Sequence, residues 1–182
     1  RYKRIDNPSI EAARRIAAGQ IVGWFQGRSE YGPRALGHRS ILADPTNPNM
    51  KDEINKRIKF REEFRPFAPA VLESAASSIF DIEDPSPFMT IAVDVKPEWK
   101  NKMPAVTHID GTARVQTVSK DTDSLFYDLI EELGRHTGVP VVLNTSFNVR
   151  GEPIVETPLN AVATFYASGL DALFVESFLI EK

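Results

Sequence analysis

"GVPVVLNTSFNVRGEPIVETPLNAVATFYASG", residues 138–169, passes from an apolar run into a polar segment and out again into a second periodic stretch. Gly138 ends the element before it, and residues 139–143 are short and uniformly apolar, which reads as a buried strand. Thr157 followed by Pro158 is a helix start, because proline in a first turn gives up a donor that the turn cannot use. Leu159, Val162, Ala163 and Tyr166 are then expected on its buried face, with Gly169 as its stop. A buried strand, a polar loop and a helix in that order make the repeating unit of an α/β domain.

The flanking sequence keeps this alternation. Leu125, Phe126, Leu129, Ile130 and Leu133 share one face of a helix that Gly138 closes, and residues 172–175 give a last short strand. Towards the N-terminus, Ser9 is expected to cap a helix whose Ile10, Ala13, Ile16 and Ala17 share a face and which stops at Gly19. Residues 21–25 read as a buried strand, 40–43 as a short one, and Met50, Ile54 and Ile58 line one side of a charged helix. Residues 67–72 are apolar but contain Pro69, so an edge or irregular strand is expected there, followed by a short helix through Ala76 and Phe80. Residues 90–95 and 113–118 read as strands, and 96–111, with Pro97 and Pro104, as a long loop. The fold expected is α/β (α+β), a single domain over residues 1–182 with a twisted sheet of mixed parallel and antiparallel strands.

The bulk composition is that of a globular chain. Of 182 residues, 42% are hydrophobic and 26% charged, and no apolar run approaches the roughly 20 residues of a membrane-spanning helix. There is no cysteine, hence no disulfide and no thiolate metal site, and a reducing, cytoplasmic setting is the expectation. The net charge of −3 conceals an asymmetry: residues 1–65 hold 14 lysines and arginines against 8 acids, a balance of +6, and the remainder 8 against 17, a balance of −9. A segregated basic excess suits an anionic partner near the first third, or else a solvated basic face.

Four stretches concentrate polar and charged groups among glycines and prolines: "GRSEYGPRALGHRS" (27–40), "KFREEFRPFAP" (59–69), "HIDGTARVQTV" (108–118) and "NTSFNVRGEPIVETP" (144–158). Taken singly, each has a plain structural reading. Arg114 could pair across a sheet, Lys59 and Arg61 could be the cationic end of a helix, and Asn144, Thr145, Ser146 and Asn148 could be turn chemistry. His38, His108 and His136 lack ligand spacing, and Glu62 and Glu63 read as solvated charges. No phosphate-binding G-x-x-x-x-G-K-S/T loop, G-x-S-x-G elbow or H-E-x-x-H helix is present. What remains is a set of cations and polar loop residues equipped to bind and neutralise an anion, which is how phosphoryl and adenylyl transfer are largely catalysed.

In that order, "GRSEYGPRALGHRSILADP", "KFREEFRPFAPAVL", "DGTARVQTV" and "LNTSFNVRGEPIVETP" resemble the C-terminal domain of the carbamoyltransferase family that includes nodulation-type and antibiotic-tailoring O-carbamoyltransferases. The resemblance implies a YrdC/Sua5-like fold preceded in the longer protein by a Kae1-like domain, and the start on Arg1 rather than Met fits a piece of such a chain. Lys59-Phe60-Arg61 and Ser146-Phe147-Asn148 also echo the K-x-R and S-x-N signatures of YrdC-type proteins. The family's activity would be binding of carbamoyl phosphate and ATP, formation of carbamoyladenylate, and transfer of the carbamoyl group to a hydroxyl acceptor by the Kae1-like domain.

Carried over by motif, Arg34, Lys59, Arg65, Arg114, Asn144 and Ser146 are expected at carbamoyl phosphate, Lys59 and Arg65 as its catalytic cations, with Arg61 and Asn148 on the ATP side. These cations are expected to converge. No metal ligands are expected in this domain: Mg²⁺ would arrive with ATP, and any iron would belong to the preceding domain. Neither nucleic acid nor a membrane is an expected partner. The alternatives are a threonylcarbamoyl-AMP synthase-like enzyme, which the long GRSEYGPRALG motif argues against, and a YrdC-type RNA-binding module, which the negative net charge disfavours.

Overall fold

Residues of alternating destination build a sheet that is buried on both sides. In a computed structural model, which describes residues 1–62 and 64–182, Val22 and Trp24 of β2 (Val22–Phe25) point to one face, and Phe25 to the other. The remaining strands are β1 (Tyr2–Arg4), β3 (Arg39–Ala43), β4 (Ala68–Leu72), β5 (Val93–Asp94), β6 (Thr112–Ala113), β7 (Gln116–Val118), β8 (Val141–Ser146), β9 (Ala172–Val175) and β10 (Phe178–Glu181). Eight of them form one sheet in the order β1-β10-β9-β2-β3-β8-β4-β7, while β5 and β6 pair separately. The β2–β9 and β4–β7 pairs are parallel and the rest antiparallel, so the sheet is mixed as expected.

One face is covered by α1 (Pro8–Ala17) and α5 (Ser124–Thr137), whose Ala12, Ala13, Ile16, Phe126, Leu129 and Leu133 meet Trp24, Leu42 and Phe174. The helices α2 (Met50–Ile54), α3 (Glu73–Ile79) and α6 (Pro158–Ala167) contribute to the second core, with Phe80, Phe147 and Leu173. A four-residue helix, α4 (Pro97–Lys100), lies in the stretch expected to be loop. Gly23 is a point of close approach on this second side: a Cβ there would lie 2.8 Å from the Phe147 ring.

Several expectations are corrected. The cap of α1 is Asn7, whose side chain accepts from the Ile10 amide; Ser9 instead donates to the Leu125 carbonyl and ties α1 to α5, and Ile10 is exposed. β4 is an inner strand, not an edge. Pro69 is accommodated because β7 pairing begins only at Ala70, so the sheet lacks one neighbour at the proline. Residues 90–95 supply only the two-residue β5. The expected strand over 113–118 is broken, with Arg114 between β6 and β7 rather than inside a strand. α6 is turned from its expected face: Ala161, Thr164 and Phe165 are buried, whereas Leu159 and Tyr166 are exposed. Glu63 lies outside the described residues.

The topology brings the four motifs together. Antiparallel β8 ends with Ser146 opposite Ser40 at the start of β3, and its Asn144 lies opposite Ala68 at the start of β4. β7 begins alongside, with Gln116 opposite Ala70. The loops before β3, β4 and β7 and the loop after β8 therefore meet at one end of the sheet.

Candidate functional site

The loop before β3 is folded around a carboxylate. Glu30 Oε1 accepts from the backbone amides of Leu36, His38 and Arg39 at 2.7, 2.9 and 3.1 Å, which gathers residues 30–39 into a tight turn. Gly37 is required within it, at φ 115° and with its Cα so close to Phe126 that a Cβ would lie 2.4 Å from the ring. Of the three arginines in this motif, Arg39 points inward, donating to the Gln26 and Gly27 carbonyls at 2.7 and 3.0 Å with its guanidinium on the Phe25 ring. It holds the ends of β2 and β3 together. Arg34 instead lines a cavity.

The loop before β4 starts with a π-helical turn, Asn55–Lys59, that continues α2 and ends at Phe60 in the left-handed region. That turn delivers Lys59 under the end of β8. Its Nζ donates to the Ser146 carbonyl at 2.6 Å, the Asn148 carbonyl at 3.1 Å and Asn148 Oδ1 at 2.8 Å, with Ser146 Oγ at 3.3 Å. Lys59 is 5% exposed, and burial followed by repulsion from Arg61 pushes its pKa down to about 7. Arg61 is braced by Asn55 Oδ1 at 2.7 Å and lies over the Phe67 ring.

Two neighbouring cavities open at this end of the sheet. A cavity of about 110 Å³ is lined by Arg34, Arg61, Arg114, Asn144, Thr145 and Ser146. A second, of about 250 Å³, is lined by Lys59, Arg61, Arg65, Ser146, Asn148 and Arg150. Arg61 and Ser146 belong to both. All eight residues singled out in the sequence therefore line one or the other cavity, divided as Arg34, Arg114 and Asn144 on one side and Lys59, Arg65 and Asn148 on the other. Asn144 and Ser146 project from β8 itself, one and three residues beyond where the strand was expected to end.

Burial first, and repulsion between neighbouring cations second, disfavours the charge on these arginines. Burial and then Arg34 hold the Arg114 pKa below its ordinary value; burial and then Arg65 do the same to Arg61, opposed by Glu62. Arg114 Nε is buried with no hydrogen-bond partner among the described residues, and so is Asn144 Oδ1. An anion bound among these cations would relieve that cost. Among the described residues there is no cluster of histidines and carboxylates that could hold a metal.

Two contributors were missed in the sequence. Arg150 donates to the Phe60 carbonyl at 3.1 Å and completes the second cavity; its place in the RG step of the NTSFNVRGEP motif was the available signal. Gln116 is 4% exposed and bonds to both Asn144 and the Leu36 carbonyl, a role no local pattern announces. The histidines have structural partners: His38 with the Gln26 carbonyl and Asp123, His108 with Thr112, and His136 with Glu132.

Comparison with known proteins bears on the whole chain. The family described as carbamoyltransferase C-terminus matches residues 13–182. Nodulation protein NolNO of Sinorhizobium fredii (strain NBRC 101917 / NGR234) is 50% identical over 99% of the chain, and nodulation protein NolO of Bradyrhizobium diazoefficiens 48% identical over 99%. The chain spans 27% and 33% of those two proteins, respectively. Among solved structures, full-length HypF in a phosphate- and nucleotide-bound form superimposes with a TM-score of 0.66 at 16% identity, over 96% of this chain and 22% of that one. HypF of T. kodakarensis gives 0.63 at 19%, over 100% of this chain and 22% of its own. At such identities the likeness carries the fold alone, and it agrees with the YrdC-like class that the motifs implied. No helix among the described residues is long and apolar enough to cross a membrane.

Proposed function

The chain belongs to the carbamoyltransferase C-terminus family, and on that premise we propose that its paired cavities bind carbamoyl phosphate and ATP and form carbamoyladenylate, for transfer to a hydroxyl acceptor on a Kae1-like partner domain. The observation that carries the reading is the convergence of six cationic side chains on two cavities that share Arg61 and Ser146.

The smaller cavity suits carbamoyl phosphate. Arg34 and Arg114 are paired cations for its oxygens, and the amide of Asn144 addresses the uncharged carbamoyl end, which a cation would not select. The larger cavity, with Lys59, Arg65, Arg150 and Asn148, suits the phosphates of the nucleotide. This divides the expected residues differently from the motif carry-over, moving Lys59 and Arg65 to the nucleotide side. Arg61 and Ser146, at the junction, would face the atoms that react.

The balance is simple. Water and carbamoyl phosphate give carbamate and phosphate; a carbamate oxygen then attacks the α-phosphorus of ATP, its new O–P bond replacing the bond to the departing pyrophosphate. Each step gathers negative charge on oxygens, and fixed guanidinium groups in a water-poor cavity stabilise that charge without reorganising. The residues present fit nucleotide phosphates; Mg²⁺ would be carried by the nucleotide, since these cavities offer little carboxylate.

Isothermal titration of the chain with carbamoyl phosphate, with and without ATP, tests the reading, alongside thermal melts. At a ligand concentration 100 times Kd, linkage should stabilise the fold by about 2.7 kcal/mol. Random duplex RNA should bind more weakly than micromolar at physiological salt. Tight RNA binding with no response to carbamoyl phosphate would overturn the proposal.

A further inference from the structure

We infer that Gln116 makes this site selective for a carbamoyl group over an acyl group of the same shape, by locking the Asn144 amide with its oxygen as the free half. The inference rests on the carbamoyl phosphate reading above and adds to it the residue that decides which acyl phosphate is accepted.

The orientation of both amides follows from two backbone carbonyls. Asn144 Nδ2 lies 3.1 Å from the Ala35 carbonyl oxygen and 2.8 Å from Gln116 Oε1. A carbonyl only accepts, so the Asn144 atom facing Ala35 must be its nitrogen. Gln116 Nε2 lies 2.7 Å from the Leu36 carbonyl, and by the same reasoning its oxygen must face Asn144. The folded GPRALG loop thus fixes Gln116, and Gln116 together with Ala35 fixes Asn144. Both donors of Asn144 Nδ2 are engaged.

What is left over defines the ligand. Asn144 is 1% exposed, and its Oδ1 has no hydrogen-bond partner among the described residues although the residue lines the cavity. Arg114 Nε, on the same cavity, is an unpartnered donor. A fitting ligand must therefore offer oxygen to the arginines and an N–H to Asn144. Acetyl phosphate, a dianion near neutral pH, offers only acceptor oxygens and a methyl group. Carbamoyl phosphate replaces the acetyl methyl with an amino group of nearly the same size, so the distinction is a hydrogen bond rather than shape. Leaving a buried acceptor unpaired weakens binding on the order of ten- to a hundredfold.

The test is calorimetric competition of carbamoyl phosphate, acetyl phosphate and inorganic phosphate on the chain and on two variants. Gln116→Met keeps the volume and leaves the Ala35 carbonyl as the one remaining hold on the Asn144 amide; Gln116→Asn keeps an amide too short to span from Asn144 to Leu36. The wild type should favour carbamoyl over acetyl phosphate by tenfold or more. Folded variants should lower that ratio at least threefold while inorganic phosphate affinity stays within about twofold, a pattern that a general loosening of the site would not give. A wild-type ratio near one overturns the inference while leaving the anion site standing, and a ratio unchanged in the variants overturns the role of Gln116. Unfolding of both variants would make that role structural instead. If none of the three ligands binds, the carbamoyl phosphate reading falls with it.

Discussion

Lys59 is the group whose titration should be visible in folding. Its ammonium is 5% exposed, and its pKa falls from 10.5 to about 7 through burial and then through Arg61. A drop of that size corresponds to roughly 5 kcal/mol, at about 1.4 kcal/mol per unit. The sign is that of a penalty. Below pH 7 the lysine is charged in both folded and unfolded chains, and the full cost of burying the charge is present. Between pH 7 and 10.5 the unfolded chain keeps a proton that the folded one has released, so folding becomes more favourable as pH rises. Above 10.5 both forms are neutral and the cost is gone.

Lys59→Met lacks the titrating group while keeping the stem. Urea denaturation of both proteins from pH 6 to 10.5 isolates this residue, because every other titration cancels in the difference. Wild-type stability relative to the variant should rise by up to about 5 kcal/mol across the window, with a slope near 1.4 kcal/mol per pH unit. The opposing force is explicit: the Ser146 and Asn148 carbonyls and Asn148 Oδ1 are acceptors for three ammonium protons and favour the charged form. A difference that stays flat from pH 6 to 10.5 would mean that these acceptors prevail and that the reasoning from burial is wrong. A bound anion should restore the proton, so ATP binding above pH 7 should take up protons, read as a dependence of the calorimetric enthalpy on buffer.

Arg65→Lys keeps the charge and loses the planar fork; since Arg65 is exposed, folding should be nearly unchanged while ATP affinity in calorimetry falls by about 1.5–3 kcal/mol. Glu30→Ala strands the amides of Leu36, His38 and Arg39, and should cost about 3 kcal/mol in urea melts, with those three amides losing hydrogen-exchange protection before the rest of the sheet.

How far the fold could be read depended on whether an element's neighbours leave a local trace. The C-terminus of α5 was legible because Gly138 sits at φ 74°, a conformation that its residue type announces. The β9–β10 hairpin was not, because its turn uses Glu176 at φ 50°, and no glycine or asparagine marks the place. β1 is exposed along its whole length and so carries no apolar pattern. α6 is apolar nearly all round, which leaves its buried side undetermined by periodicity alone; the sheet chose Phe165, and Tyr166 was left outside.

The site was legible as motifs but not as a division of labour. Arg34 and Arg39 stand five residues apart in one motif, and only packing separates them. The terminal nitrogens of Arg39 are spent on the Gln26, Gly27 and His38 carbonyls and its plane lies on Phe25, so it serves the strand ends even though its Nε is unpartnered among the described residues. Arg34 and Arg114 share a cavity wall, and Arg34, after burial, lowers the Arg114 pKa rather than satisfying it. The feature that distinguishes a binding arginine from a structural one is therefore the set of acceptors it reaches, and acceptors on backbone carbonyls 12 or 13 residues away leave no mark on the local sequence. The same holds for Gln116, 28 residues from Asn144 in sequence and 2.8 Å away in the fold. Its side chain could as well have faced solvent from a three-residue strand; the parallel pairing with β4 turns it instead towards β8, and with it the choice of which half of Asn144 remains for a ligand.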